Sequence, residues 1–161
     1  MSGLHRKDHT QIVLFTLDEP RYALDLSTVE RVARAVEITP LPKAPEIVLG
    51  VINMKGEIIP VIDVRKRFGL ASREMNVDDR FIIARTSRRL VALVADSVAG
   101  VRAIEDREMV SAEQALPFAA YLQGVAKVDG DLVLIYDLDR FLSLDEEQAL
   151  DAALSEPRDE E

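Results

Sequence analysis

Two aspartates at matching places are the strongest candidates for chemistry in this sequence. Asp63 closes the apolar run that begins at Ile58, and Asp137 interrupts the apolar run Leu132–Leu138. A pair of carboxylates does general acid–base work when its surroundings push the two pKa values apart. An aspartate directly after a strand has a simpler use, accepting hydrogen bonds from the free N–H groups of a following helix. Because the two occupy equivalent positions of an internal repeat, capping is the reading favoured here. His5 and His9 are spaced i, i+4. They would ligate a metal only on a helix and with a third ligand, and they lie in the polar leader MSGLHRKDHTQ. Asp129 and Asp131 lack the further oxygens of a calcium loop. Gly50 and Gly56 have neither phosphate-loop nor dinucleotide spacing. The chain has no cysteine, which removes thiol nucleophiles, disulfides and cysteine metal sites together. No nucleophile–base pair can be named. The expectation is a protein without catalytic residues, metal or cofactor.

Charge narrows the class further. The net charge is −9, and residues 137–161 carry −8 of it, so the body is close to neutral. Nucleic acid would call for a basic body. The acidic end reads as a solubilising extension, and the short basic groups Arg65-Lys66-Arg67 and Arg88-Arg89 read as solvated faces. No apolar run reaches the roughly 20 residues needed to cross a bilayer, and the leader lacks a signal-peptide core. The absence of cysteine suits a cytoplasmic location.

The elements around the aspartates are short strands. Gln11–Leu17 and Arg21–Leu26 form a hairpin across Asp18-Glu19-Pro20. Ser27-Thr-Val-Glu30 has capping-box spacing and predicts a short helix to about Ala33. Ala35–Leu41 is extended, stiffened by Pro40 and Pro42, and Pro45 opens a helical turn that Gly50 ends. GVINMKGEIIPVID, residues 50–63, is a second hairpin, and Val64–Phe68 is a short helix closed by Gly69. Residues 71–79 are polar and mark a central boundary. Strands follow over Arg80–Arg85, Leu90–Ala95 and Val101–Ile104, with a helical turn over Glu105–Ala112. Gln123–Val128 and Leu132–Leu138 flank the turn signal Asp129-Gly130. Ser143-Leu-Asp-Glu146 opens a final helix whose apolar side includes Leu150, Ala153 and Leu154.

The halves match each other. GVINMKGEIIPVIDVRKRF (50–68) lies over GVAKVDGDLVLIYDLDRFL (124–142) without a gap, and YALDLSTVERV (22–32) lies over VALVADSVAGV (91–101). The second alignment pairs Val29 with Val98 and Val32 with Val101. This is a duplicated unit of about five strands, too small to stand alone, so the copies should pack together as small barrels. The expected organisation is a flexible tail over 1–9, barrels over 10–78 and 79–142, a helix over 143–155 and an acidic tail over 156–161. Pro60 meets Leu134 in the repeat and cannot donate a ladder hydrogen bond, so Glu57–Ile62 is expected at or near an exposed edge. Such a proline either blunts the edge or marks a docking site.

The segment ITPLPKAPEIVLGVINMKGEIIPVIDVRKRFG (38–69), supported by FTLDEPRYALDLSTVERV and ADSVAGV, resembles the CheW family over about residues 10–144. The resemblance implies a mostly β fold of two five-stranded SH3-like barrels packed side by side, with short helices and a C-terminal helix. It implies a non-enzymatic adaptor that couples chemoreceptor helical hairpin tips to the regulatory domain of the histidine kinase CheA. Other adaptor copies in an array are further implied partners, with no nucleic acid and no membrane insertion. Non-flagellar chemosensory coupling and, less favoured, small-ligand binding in the cleft between barrels are the alternatives. Carried over by position, the receptor side comprises Val29, Glu30, Arg31, Gly50, Asn53, Lys55, Gly56 and Val101. The kinase side comprises Ile38, Ile59, Pro60 and Val61, which tilts the reading of Pro60 towards docking. Two positions depart from the family: Arg31 stands where an acid is usual and Lys55 where arginine is usual. Either Glu30 turns in to pair with Lys55, or that link is absent.

Overall fold

The structure, a computed structural model, describes residues 9–18, 21–110 and 122–155. His5, most of the expected N-terminal tail and the acidic tail 156–161 lie outside the described residues. In chain order the strands are β1 (His9–Thr16), β2 (Arg21–Asp25), β3 (Val29–Arg34), β4 (Val48–Met54), β5 (Glu57–Ile62), β6 (Arg80–Arg85), β7 (Leu90–Ala95), β8 (Ser97–Glu105), β9 (Met109–Val110), β10 (Leu122–Val128) and β11 (Asp131–Tyr136). Helix α1 (Val64–Phe68) follows β5, and α2 (Leu144–Ser155) ends the described chain. The strands form two sheets, ordered β8-β1-β2-β11-β10-β9 and β3-β6-β7-β5-β4. The expected mostly β class holds. The first sheet gains β9 as a sixth strand, and the described pairings leave both sheets open rather than closed into barrels.

The duplication is real, but its boundary is not a boundary between sheets. The first repeat places β1 and β2 in one sheet and β3, β4 and β5 in the other; the second repeat does the reverse. Each sheet is therefore built from both repeats, so the split expected between 10–78 and 79–142 does not coincide with the division between sheets. The exchange preserves register. Ile135 pairs with Ala23 in one sheet as Val61 pairs with Ala92 in the other, and these are repeat equivalents. The bulges match as well: Glu30 is skipped on β3 and Ala99 on β8. Each copy thus completes the other's sheet, which answers how units too small to fold alone become stable.

Pro60 is explained by the same comparison, against expectation. Strand β5 is interior, paired with β4 on one side and β7 on the other. In the first sheet the β11–β2 ladder includes Leu134, opposite Tyr22. In the second sheet the β5–β7 ladder begins only at Val61, one residue past Pro60. The proline sits where the ladder has not started, so only the first part of β5 is unpaired on that side. The inference of an exposed edge is corrected: Pro60 is buried.

Period-two alternation divides the apolar side chains into three cores. Ile52, Ile59, Val61, Phe81, Ile83 and Ala92 fill one sheet's inner face. Ile12, Leu14, Ala23, Ala126, Val133 and Ile135 fill the other's. The intervening residues of the same strands, among them Phe15, Tyr22, Leu24, Ile62, Ile82, Leu93 and Tyr136, meet in a shared central core with Phe68, Phe141 and Leu150. Phe68 stacks on Tyr136 with ring centroids 4.1 Å apart. Each fully buried Ile, Leu or Phe contributes roughly 1.5–3 kcal/mol of hydrophobic stabilisation.

Local signals held where they were strictly local. Both hairpin turns have two positive φ angles, 55° and 86° at Lys55-Gly56 and 54° and 86° at Asp129-Gly130, the geometry that suits strand twist. Asp63 accepts from the Lys66 N–H at 3.1 Å and Asp137 from the Asp139 N–H at 3.1 Å, so both are caps. Ser143 and Glu146 form the expected reciprocal box. The box at Ser27–Glu30 does not form. Asp25 caps a single 3-10 turn over Leu26–Thr28, and the chain enters β3 because Val29 and Val32 pair across β6. The turn at Pro45 likewise gives way to β4 from Val48, and of the predicted turn over Glu105–Ala112 the described part is a 3-10 turn over Asp106–Glu108 followed by β9, residues 111–112 lying outside the described residues.

Gly50 is required by a close approach. Its φ is 151°, and a Cβ there would lie 2.3 Å from the Thr39 carbonyl oxygen and 2.6 Å from Ile38 Cγ2. The Pro-rich segment crosses at this point, with Thr39 and Val51 exchanging hydrogen bonds of 2.9 and 2.8 Å. Gly50→Ala is expected to cost about 3 kcal/mol through strain and displacement of that segment. Urea unfolding measures it; a loss under about 0.5 kcal/mol would show that the segment is free to shift.

Candidate functional site

Strands β3 and β8 are edge strands of their sheets and repeat equivalents of each other. On β3, Val29 is half-buried against the central core and Val32 is 41% exposed. On β8, Val98 packs on the same core and Val101 is 55% exposed. Val32 lies across from Ile82 and Val101 across from Val13. Directly paired residues share a face, so both exposed valines lie on the faces turned towards the central core. The arrangement is a matched pair of apolar strips flanking that core. Val29 and Val101 were candidate residues. Val32 and Val98 were missed, although the repeat alignment that pairs them had already singled them out.

The remaining receptor-side candidates do not all join these strips. Asn53, Lys55 and Gly56 form the exposed tip of the β4–β5 hairpin, where the Asn53 side-chain oxygen accepts the Gly56 N–H at 2.9 Å. Strands β3 and β4 stand at opposite edges of their sheet. Glu30 is bound by Arg85, with Nε to Oε2 at 3.0 Å, so it does not turn in to Lys55. Among the described residues the side chains of Arg31 and Lys55 have no hydrogen-bond or ion-pair partner. Gly50 is buried under Ile38 and Thr39 and offers a partner no surface.

The kinase-side candidates need a sharper correction. Ile59 is 2% and Val61 0% exposed, both inside a sheet core. With Pro60 also buried, these side chains shape the sheet and are not presented to a partner. Ile38 is half-buried and lines an open cavity of about 250 Å³ with Leu49, Met75 and Val94. Leu49 is 42% exposed there. The cavity is rimmed by Asp63, Arg65, Arg73 and Asp79. Its two arginines are already bound by carboxylates, so they do not converge on a ligand. It is also smaller than the roughly 300–1,000 Å³ of small-molecule sites.

The reading of the basic patches as solvated faces holds for exposed Lys66 and Arg88 but fails for Arg65, Arg67 and Arg89. Arg65 donates to Asp18 at 2.8 Å and to Asp96 at 2.9 Å, and its side chain is 10% exposed. Arg73 joins Asp79 at 2.7 Å and also contacts Asp96. Arg67 grips both oxygens of Glu146 at 2.8 and 2.7 Å, while Arg89 meets Glu147 at 3.1 Å and also Asp151. The acidic end is thus partly structural. Helix α2 is held by Leu150 and Ala153 in the central core and by two arginines at its rim.

Burial alone would raise the Asp96 carboxyl. The Asp18 N–H and the Arg73 and Arg65 guanidinium groups outweigh it and hold the pKa below the ordinary range. At Glu146 burial is likewise outweighed by the Ser143 N–H and Arg67. A depressed carboxylate pKa adds stability that is complete above the unfolded value, about 4, and is lost as pH falls through the folded value. Stability is therefore expected to fall between about pH 5 and pH 2. Asp96→Asn should lower stability at pH 7 by about 2 kcal/mol and flatten that acid limb. Urea midpoints across pH test this; an unchanged acid limb in the variant would assign the loss elsewhere.

Comparison with known proteins agrees with this architecture. The family model described as a CheW-like domain matches residues 11–146. The chemotaxis protein CheW of Thermotoga maritima is 33% identical over 132 residues, covering 82% of this chain and 87% of that one. The protein FrzA of Myxococcus xanthus is 28% identical over 118 residues, covering 73% and 74%. The crystal structure of the scaffolding protein TtCheW from Thermoanaerobacter tengcongensis superposes with a TM-score of 0.79 at 34% identity, covering 86% of this chain and 95% of that one.

Proposed function

The chain belongs to the CheW-like family, and we propose that it is a non-enzymatic coupling protein of chemotaxis signalling, joining chemoreceptor hairpin tips to the kinase CheA. The observation that carries this reading is the matched pair of valine strips on β3 and β8, flanking the core shared by the two sheets. An antiparallel two-helix hairpin has its own approximate twofold, and such strips offer it two similar apolar walls. Asn53, Lys55 and Gly56 at the hairpin tip extend the receptor side, Lys55 with an ammonium that has no partner among the described residues. The kinase side is read as the surface over Ile38 and Leu49, backed rather than formed by Ile59, Pro60 and Val61. Repeated copies in an array would add avidity to interfaces that are individually weak.

Such a protein changes kinase activity only by holding its partners in particular relative states. No helix among the described residues is long and apolar enough to cross a membrane. In the coupling role proposed here, association with receptor arrays runs through the partners. Co-sedimentation with CheA and with receptor fragments, singly and together, tests the reading while kinase autophosphorylation is followed. The expected result is binding to each and a receptor-dependent change in activity. Folded protein that binds neither would sink it.

A further inference from the structure

The duplication gives the two strips one backbone but not one charge. With register fixed by the shared bulge, Arg31 and Arg34 on β3 correspond to Gly100 and Ala103 on β8. Arg34 lies directly across from Arg80, two residues along from the Val32–Ile82 pair and therefore on the same face. Opposed like charges are unfavourable. Arg80 is turned back onto the carbonyls of Asp78 and Asp79, at 2.9 and 3.1 Å. Arg34 is exposed, and its side chain has no partner among the described residues. The nearby acid, Glu30, is taken by Arg85. On the other wall Ala103 faces Gln11, and the one cation of that stretch, Arg102, is bound to Asp129 at 3.0 Å. Among the described residues, one wall thus carries uncompensated positive charge in a chain of net charge −9, and its twin carries none.

We propose that Arg34 fixes which way round a receptor hairpin enters between the strips, by reading a carboxylate on the helix lying along β3. This rests on the coupling function proposed above. An antiparallel helix pair fits two near-equivalent walls almost equally well in two orientations, so apolar contact cannot choose between them. One-sided charge can, since electrostatic complementarity sets register and orientation more than it sets affinity.

The test uses the full chain and a cognate receptor cytoplasmic hairpin fragment. The chain lacks cysteine, so a single cysteine at exposed Ser27 carries one spin label, and a second label sits on one helix of the fragment. The parent should give one distance. Arg34→Glu should bind about five- to tenfold more weakly at low salt, lose part of the salt dependence and give two distances. Moving the charge with Arg34→Ala and Ala103→Arg together should restore one distance, the reversed one. Parent-like affinity and a single distance in Arg34→Glu, with Val101→Asp still weakening capture, would overturn the orienting role and leave the docking strips standing. Indifference to both substitutions would overturn the docking strips as well.

Discussion

Ile59→Asp should leave almost no folded protein. Ile59 is 2% exposed and packs with Ile52, Val61, Phe81, Ile83 and Ala92. The substitution removes an apolar side chain worth roughly 1.5–3 kcal/mol and puts a carboxylate in its place with no cation in that core. The combined cost, about 5 kcal/mol or more, is comparable with the whole stability of a small domain, roughly 5–15 kcal/mol. Far-UV circular dichroism and urea titration read the effect directly. Kinase binding would vanish together with receptor binding, as a consequence of unfolding. The informative neighbour is Leu49→Asp, because Leu49 is 42% exposed on the cavity rim. It should fold normally and weaken CheA capture while sparing receptor capture. A cooperative Ile59→Asp transition within about 1 kcal/mol of the parent would mean that β5 is not interior.

That contrast marks where the sequence was legible. Turns and caps were readable because their causes are local: Lys55-Gly56 and Asp129-Gly130 need only their own φ angles, and Asp63 and Asp137 need only the next few N–H groups. The repeat was readable because side-chain type survives duplication. The exchange of strands between repeats was not readable. Pairing β2 with β11 and β7 with β5 depends on which edge is free after both copies fold, and no local residue records that. Pro60 was interpreted with the right physics and the wrong geometry, since a missing donor fits a ladder that starts one residue late as well as it fits an edge. Arg65, Arg67 and Arg89 looked solvated because their carboxylate partners lie 31 to 79 positions away. The same distance in sequence hid the structural part of the acidic end.

Val101→Asp should give the largest loss of binding with the fold intact. Val101 is 55% exposed on an edge strand, and its removal opens no core. The intrinsic cost of aspartate in a strand is at most about 1 kcal/mol. At the centre of an apolar strip a new carboxylate must lose its water when a partner helix covers it, with no free cation among the described residues of that wall to receive it. Arg102 is already held by Asp129. A central interface position of this kind costs about 2 kcal/mol or more, roughly a thirtyfold loss of affinity for a receptor fragment. Val32→Asp supplies the internal control that the duplication makes possible. It occupies the equivalent place on the other strip, but there Arg34 stands on the same face, two residues along, with no partner among the described residues. The new carboxylate can pair with it, so the loss should be several-fold smaller than at Val101. Titration calorimetry with one receptor fragment and both variants measures the difference. Equal losses would remove the charge asymmetry between the walls, and no loss in either variant would remove the walls themselves.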